Sequence, residues 1–446
     1  MNTSSIPEVQ PAEPERVARP ESSKGVGFEG TAHALPFVQG VPPSSSPSRR
    51  IDVSLLTSLG KVLAAIFGWS WRILLGGLFC FTLIGSILVT GWTYRWMQGL
   101  VLRGWWKRSR FRETRSFEEF CASLSYDAPV ARPRWFLQER VHLAVNRPDV
   151  FGRPPRTARR IIRALRVPWH SLWLNFKIGI QGLFCTYLLS GLGCLIMLFS
   201  WEFGWLNSFN KGYEQAFIGP LTGLLGIFIF IAAMFYVPMA QVHQAVTGDY
   251  HAFFDIRFVW RLIRARLSAY VILAGIIALL SLPLEILKTA PASFDDHFDF
   301  WTNARDAEVN RMLQNYFLIC SFALFLALLV WRWLAARIYR SAVLRVLERG
   351  WVTRAELHPT LALWLDRFGV FPVPTLESAG ITYVVKSGSR MVYRRILFVV
   401  LFFIWFGFVA KVYVGEFLHY HPGLGLLNHP LIQLPYFNYM PPDLKP

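Results

Sequence analysis

Six stretches of roughly 20 apolar residues constrain this chain more than any other feature of its sequence. A helix needs about 20 apolar residues to cross a hydrocarbon core of about 30 Å. Hydrophobic residues make up 53% of the chain and charged residues only 17%, which excludes an ordinary soluble domain. The sequence therefore predicts an all-α, polytopic transmembrane helix bundle with about six spans. These spans are predicted at residues 73–92, 178–201, 217–239, 269–287, 316–334 and 396–414.

The region before the first predicted span divides into two parts. Residues 1–50 are rich in proline and serine and show no apolar period, so we expect a disordered tail. Residues 51–72 contain a shorter apolar run with Lys61, and little more than Arg72 separates it from the first span. This leaves no room for a turn between two full crossings. Residues 51–72 are therefore predicted to form an interfacial or re-entrant helix.

Lysine and arginine are concentrated in alternate connections between the predicted spans. Residues 93–177, 240–268 and 335–395 are basic, whereas residues 288–315 and 415–446 are not. Because basic loops stay in the cytoplasm, the first set is predicted inside, with an outer loop and an outer tail opposite. The pattern thus predicts a multi-pass protein whose basic segments face the cytoplasm. The side of the N-terminal tail stays open, because a re-entrant 51–72 would return it to the cytoplasm.

Two of the cytoplasmic connections carry arginines at helical spacing just before a predicted span. We expect each arginine near the surface to gain about 1 kcal/mol from the anionic lipid headgroups of the bilayer. An alternative is that they only fix orientation and anchor the spans. Nucleic acid is not expected as a partner, because no groove of stacking aromatic residues is evident. The candidate headgroup contacts are Arg159, Arg160, Arg163, Arg257, Arg261 and Arg264.

Few polar features interrupt the predicted spans. Glu285 is followed three residues later by Lys288, so the two can pair on a helix, and an interfacial role is favoured over a transport carboxylate. Glycines in the second and third spans predict that these two helices pack together. Residues 386–389 read as a hairpin turn between two short alternating stretches. The glycines are Gly179, Gly182, Gly191 and Gly193 in the second span, and Gly219, Gly223 and Gly226 in the third.

Three polar clusters invite a metal assignment, but none has the spacing of a zinc site. Zinc needs three or four ligands that converge tetrahedrally. Neither a P-loop nor a nucleophile elbow is present. We therefore predict no metal, no cofactor and no catalytic residue. The clusters are His243, Asp249, His251 and Asp255; Asp295, Asp296, His297 and Asp299; and His419 with His421.

Residues 236–255, YVPMAQVHQAVTGDYHAFFD, are followed by a basic helix and a new span. This arrangement resembles a widespread family of prokaryotic multi-pass membrane proteins known only as a domain of unknown function. The resemblance covers roughly residues 175–290. Similar architecture occurs in the membrane domain of some glycerophosphodiester phosphodiesterases, whose catalytic domain has no counterpart here. The motif residues are Pro238, Ala240, His243, Gly248, Phe253, Phe254 and Asp255.

The resemblance implies a bacterial inner-membrane location and conveys no activity. From the residues themselves, Pro238 is expected to end a span and Gly248 to supply a turn. Phe253 and Phe254 are expected to seat the following arginine helix in the membrane interface.

Three functions remain open on the sequence, and we rank them by the chemistry that each requires. The first is a non-enzymatic scaffold or accessory protein that contacts lipid, and partner proteins through the 93–177 loop. The second is a permease or lipid-translocating transporter. The third is a membrane enzyme acting on lipid phosphodiesters, which only the cluster around His243 supports. Few ionisable residues within the predicted spans place the first ahead of the second.

Overall fold

The computed structural model describes residues 51–113, 117, 157–206, 218–297, 304–372, 381–416 and 423–440. Within these ranges every regular element is helical and no strand occurs, which confirms the predicted all-α class. The contacts divide the chain into two compact units, Met1–Leu59 and Gly60–Pro446. The predicted disorder of residues 1–50 lies outside the described residues.

The helices vary from single turns to rods of more than ten turns. Short 3-10 turns and one π turn, at Ser200–Leu206, connect several of them. In chain order the α-helices are α1 (Ile51–Cys80), α2 (Leu83–Trp106), α3 (Thr157–Phe199), α4 (Ile218–Met234), α5 (Val237–Thr247), α6 (Ile256–Ala265), α7 (Leu267–Thr289), α8 (Phe294–His297), α9 (Asp306–Glu348), α10 (Pro359–Phe368), α11 (Ile381–Gly415) and α12 (Leu424–Leu427).

Five of the helical stretches are long and apolar enough to cross a membrane, so the protein is membrane-embedded. They coincide with the second to sixth predicted spans. They often extend beyond the predicted ends, since α9 alone continues for 43 residues. The five stretches are Pro168–Gly204, Gly219–Thr247, Leu267–Ser293, Asp306–Glu348 and Gly388–Gly415.

The first predicted span, 73–92, is not a single helix. α1 continues through the predicted boundary at residue 72 and ends at Cys80, and α2 begins at Leu83. Thr82 starts the second helix, because its hydroxyl accepts a hydrogen bond from the Gly85 backbone N–H at 3.2 Å. Hydropathy therefore shows one continuous apolar run where the chain forms two helices with a break between them.

α2 lies in the centre of the bundle and is buried on nearly all sides. Its closest neighbour is α3, at a crossing where Gly91 lies directly against the Asn175 carbonyl. α3 in turn packs on α4 through Gly193, where an added Cβ would lie 2.8 Å from the Phe230 backbone nitrogen. The predicted packing of the second and third spans is confirmed. Small residues allow both crossings, because any side chain would separate the backbones.

The predicted hairpin turn at residues 386–389 is wrong. These residues lie in α11, which is helical from Ile381 to Gly415. The strand-like alternation around them is short, and the helix of the apolar segment that follows extends back through it. Serine and glycine mark a turn only weakly when a long helix adjoins them.

The bundle has one strongly basic end, where α2 and α9 finish and α6 and α11 begin. Contacts join these pieces: Arg261 pairs with Glu356 at 2.7 Å, and the Arg394 guanidinium lies 5.4 Å from the centre of the Trp351 ring. We call this the basic end. The opposite end includes the last turns of α7 and α11 and the beginning of α9.

Candidate functional site: a polar column in the bundle

Four ionisable side chains meet where α7 and α11 end, opposite the basic end. Lys288 forms an ion pair with Glu416, and their side chains are only 3% and 0% exposed. Glu285 lies 3.8 Å from the Lys288 ammonium nitrogen, as the three-residue spacing predicts. Glu416, which lies 128 residues further along the chain, is nevertheless the closer partner. The predicted interfacial pair is therefore part of a larger buried cluster.

Lys411 is the fourth member, and the sequence analysis missed it. It lies inside the sixth predicted span and donates a hydrogen bond to the Ser281 hydroxyl of α7. Its ammonium group also lies 5.6 Å from the centre of the Phe408 ring. The surrounding apolar and aromatic residues concealed this single charge. An ionisable residue at such a position is a candidate for function.

A cavity of about 20 Å³ lies between α7, α11 and residues 425–439, beside this cluster. It is large enough to hold water. Glu285 and His429 line it, and neither Glu285 Oε1 nor His429 Nε2 has a hydrogen-bond partner among the described residues. Burial, together with the charges of Lys288 and Lys411, lowers the pKa of His429 to about 3. The imidazole is therefore neutral at physiological pH and can exchange hydrogen bonds with a small polar molecule.

Residues 423–440, which we call the inserted segment, pack between the helices and contribute the other wall of the cavity. Most of this segment is irregular after Leu427, yet much of it is buried. The Phe437 N–H donates to the Cys80 carbonyl at 3.0 Å, beside the break between α1 and α2. The Ser86 hydroxyl donates to the Pro435 carbonyl at 2.8 Å. This part of the predicted outer tail is therefore packed into the bundle, and the side of the membrane on which it lies stays a prediction.

Polar side chains of the helices and of the inserted segment itself form hydrogen bonds that hold the segment in place. The Gln241 amide of α5 donates to the Ile432 carbonyl at 2.8 Å. Gln433 donates to the Ser190 hydroxyl of α3 at 2.8 Å and accepts from the His429 N–H at 2.7 Å. Irregular backbone inside a membrane protein needs such partners, because lipid supplies none. Serines and glutamines scattered along the apolar spans gave no sequence signal for this arrangement.

Two buried arginines lie in the interior of the bundle, and one of them contacts Tyr94 of α2. Arg332 of α9 is fully buried, and its guanidinium lies 5.1 Å from the centre of the Tyr94 ring and 4.7 Å from that of Trp331. Arg95 donates to the Asn175 amide oxygen at 2.6 Å. Among the described residues no carboxylate pairs with Arg332. Cation–π contacts with aromatic rings offset part of the cost of burying its charge.

Histidines continue the polar interior toward the basic end. His243 Nδ1 lies 2.8 Å from the Tyr339 hydroxyl, and the His243 side chain is fully buried. Its ring centre is 6.4 Å from that of His358, whose Nε2 lies 3.3 Å from Asp249 Oδ2. His251, exposed at the surface, donates its backbone N–H to Asp249 at 2.9 Å. Partial burial opposes ionisation of Asp249, but hydrogen bonds from His251 and His358 outweigh it and lower the pKa.

The cluster of His243, Asp249, His251 and Asp255 does not converge as metal ligands. In the described part of the chain no group of three or more histidines, cysteines or carboxylates has a metal-binding arrangement. Asp255 instead caps α6, because its carboxylate accepts the Phe258 N–H at 3.2 Å. Residues 298–299, His419 and His421 lie outside the described residues. His358, which the sequence analysis did not consider, is the residue that extends this cluster.

The motif residues of the resemblance form a compact helical corner. Pro238 stands in the first turn of α5, just after the break that ends α4, and Gly248 ends α5 with a φ of 74°. Gly248 therefore supplies the expected turn, whereas Pro238 lies inside the membrane-crossing stretch Gly219–Thr247 and does not end it. The ring centres of Phe253 and Tyr236 lie 5.8 Å apart within the core. Contrary to the sequence prediction, Phe253 therefore does not seat a helix in the membrane interface. Phe254 is 38% exposed and Ala240 is fully buried.

Only part of the predicted headgroup contacts is exposed at the surface. Arg257 and Arg264 of α6 are exposed, whereas Arg261 pairs with Glu356. The apolar face of α6, including Leu262 and Ile263, is buried in the protein and not in lipid. Its arginine face points away from the bundle. The side chains of Arg159, Arg160 and Arg163 in the first turns of α3 lie outside the described residues.

Comparison of the chain with family models, curated proteins and solved structures returned no match to any of them. The resemblance to the prokaryotic membrane family stays a prediction. Any function must therefore be argued from the polar interior itself.

Proposed function

We propose that the protein is a multi-pass permease of a bacterial inner membrane, in which a small polar species moves along the polar interior of the bundle. One observation carries this proposal: buried and half-buried polar groups succeed one another from the opposite end to the basic end, where the Asp249 side chain is 39% exposed. We call them the polar column. Its members are Glu285, Lys288, Lys411, Glu416, His429, Gln433, Gln241, Tyr94, Arg332, His243, His358 and Asp249.

The energetic cost of these groups is the reason to assign them a function. A charged side chain inside a bilayer costs at least about 2.5–3.5 kcal/mol, and a purely structural helix bundle does not need one. Transporters concentrate such residues, and irregular backbone, around the site where the substrate binds. The Lys288–Glu416 pair and the irregular inserted segment lie next to the same cavity. This combination favours transport over the scaffold that the sequence placed first.

The charge distribution supports one orientation for this permease. Arginines from α2, α6, α9 and α11 accumulate at one end of the bundle. Because basic segments remain on the side of synthesis, the basic end faces the cytoplasm in our proposal. The cavity beside Glu285 then lies toward the outside, and Asp249 marks the cytoplasmic end of the polar column.

Flux through reconstituted protein tests the proposal. Purified protein is incorporated into liposomes containing a pH-sensitive dye, and proton movement is followed after a potassium diffusion potential is imposed with valinomycin. A second set of liposomes carries a fluorescent lipid, whose reduction by dithionite reports lipid translocation. We expect the protein to increase the proton flux above that of empty liposomes, whereas an increase in lipid translocation alone would contradict a path for a small polar species. Absence of both in protein that is correctly folded contradicts the proposal.

Variants locate the flux within the bundle. Glu285→Gln removes a charge that lines the cavity and should lower the flux about tenfold or more, as expected for an intramembrane carboxylate of a transport path. Asp306→Asn is the matched control, since Asp306 is exposed at the beginning of α9. Equal fluxes in both variants would place the path elsewhere.

A scaffold that contacts anionic lipid is the second candidate, and it rests on a different surface. The first described turns of α3 present Ile161, Leu165 and Trp169, at 57–70% exposure, away from the bundle. Arg257 and Arg264 are exposed at the same basic end. Under this function, proteins that co-purify with the chain would be lost when Arg257 and Arg264 are replaced by Gln. They would be unaffected by Glu285→Gln.

A further inference from the structure

Five arginines converge at the basic end, outside the polar column and apart from the exposed arginines of α6. They come from three parts of the chain: the turn after α2, the junction between α6 and α7, and the last four turns of α9. We call them the arginine cluster. Its members are Arg108, Arg266, Arg337, Arg340 and Arg345.

A close approach to α2 fixes the position of Arg340. Its side chain lies directly against Gly104, where an added Cβ would overlap the guanidinium. The Arg340 carbonyl accepts a hydrogen bond from the Trp105 indole N–H at 3.4 Å. Arg108 follows in the turn that ends α2, since its N–H donates to the Trp105 carbonyl at 2.9 Å. Arg108 and Arg340 therefore occupy the same end of α2.

Arg266 brings a third element to the same place. Its backbone N–H donates to the Leu262 carbonyl at 3.3 Å, at the break between α6 and α7. The Nε atoms of Arg266 and Arg340 are both buried and have no hydrogen-bond partner among the described residues. The arginines thus hold donors that the described protein does not satisfy.

The cluster carries an excess of positive charge. Burial and the charges of Arg345 and Arg108 lower the pKa of Arg266, and Glu348 opposes them. Arg108 and Arg337 lie close enough to Arg340 for their positive charges to repel its guanidinium. Two other described carboxylates at this end are already engaged, since Glu356 pairs with Arg261 and Asp366 with Arg354. An anion with several acceptor oxygens would relieve this repulsion.

We propose that the arginine cluster is a binding site for a phosphate group. Guanidinium groups match phosphate oxygens in geometry and form paired, charge-assisted hydrogen bonds with them. Basic pockets between membrane helices bind phosphorylated headgroups in this manner. The phosphate can come from an anionic lipid or from free phosphate, and both sources require the same donors. This site is independent of transport through the polar column.

Binding to detergent-purified full-length protein tests the proposal with two probes. Inorganic phosphate is titrated by calorimetry, and phosphatidylglycerol is titrated in mixed micelles, with phosphatidylcholine as the neutral lipid. The test variant is Arg266→Gln with Arg340→Gln. The matched control is Arg257→Gln with Arg395→Gln, which removes the same charge from exposed positions at the basic end.

The proposal predicts that the test variant loses affinity for phosphate groups and that the control variant does not. We expect the test variant to bind phosphatidylglycerol, phosphate or both about tenfold or more weakly, the scale of one lost charge-assisted hydrogen bond. The control should stay close to the native protein. Binding of phosphatidylglycerol alone identifies a lipid as the source, and binding of inorganic phosphate alone identifies the free ion. Equal losses in both variants would mean general surface attraction and would overturn the proposal, as would no binding by the native protein.

Thermal unfolding shows whether the test variant is correctly folded. In neutral detergent without phosphate, removal of like charges should leave the melting temperature unchanged or raise it. Phosphatidylglycerol should then stabilise the native protein more than the variant. If the double variant does not fold, Arg345→Gln alone, at a half-buried position, is measured in the same way. Unchanged affinity in a folded Arg345→Gln variant would overturn the proposal.

Discussion

Individual buried polar residues of this protein are stabilised in different ways. Lys288 and Glu416 neutralise each other, whereas Arg332 relies on the ring faces of Tyr94 and Trp331. Gly425 leaves room for the Lys288–Glu416 ion pair, because an added Cβ there would overlap both of its members. Removing either partner from a buried pair costs far more than an exposed pair contributes. The polar interior is therefore sensitive to single substitutions.

His429 makes stability depend on pH. Its pKa in the folded protein, about 3, is below the ordinary value of 6.5, so the unfolded chain binds the proton more strongly. The folded state is therefore expected to lose stability as the pH falls from about 6.5 toward 3, by up to about 1.4 kcal/mol per pH unit. The measurement is thermal unfolding in detergent across this range. His429→Gln should flatten the dependence.

His251→Gln is the control for this experiment, because the His251 side chain is 70% exposed. This variant should keep the pH dependence of the native protein. If both variants follow the native curve, another group is responsible for the acid sensitivity.

At the scale of elements, the contact between α2 and α3 depends on a missing side chain. A Cβ at Gly91 would overlap the Asn175 carbonyl, whereas one at Gly191 of α3 would meet nothing within 4 Å. We expect Gly91→Ala to destabilise the protein by about 1–3 kcal/mol through overpacking. Gly191→Ala should be neutral or stabilise it by up to about 1 kcal/mol through helix propensity. Melting temperatures in one detergent compare the two, and equal shifts would contradict the close crossing.

The inserted segment predicts how accessible the cysteines are. Cys80 and Cys194 are buried, and residues 429–440 lie against both. In a Cys121→Ser background, the native protein should resist maleimide in detergent. A chain ending at Glu416 should react at Cys194, because it lacks Gln433. A chain ending at Met440 is the control and should stay unreactive. Rapid labelling of the longer chain would show that the segment does not cover these thiols.

The sequence predicted those elements whose signal is local. Apolar runs of helical length identified five spans, and glycine spacing identified the packing of α3 on α4. The break before Thr82 and the course of residues 423–440 were not predictable, because both depend on contacts between distant parts of the chain. Gln433 reads as an ordinary loop residue until Ser190 is seen beside it. Local patterns do not encode such pairings.

For the whole molecule, the asymmetry of charge predicts one orientation. If the basic end is cytoplasmic, an epitope inserted after Pro372 should be protected in intact spheroplasts. An epitope after His297, near the opposite end, should be accessible to antibody from outside. Permeabilised cells provide the control, in which both epitopes should be detected. Surface detection of the Pro372 epitope would reverse the orientation and place the arginine cluster outside.

The position of the inserted segment also has a consequence for biogenesis. Residues 423–440 leave the ribosome only after every helix that they contact has been made. Until then Gln241, Ser190 and Ser86 lack their hydrogen bonds to this segment. This part of the bundle is therefore completed only after α11 has been made. A nascent chain that stalls before residue 423 would leave these polar side chains uncovered, where the insertion machinery and membrane proteases can reach them.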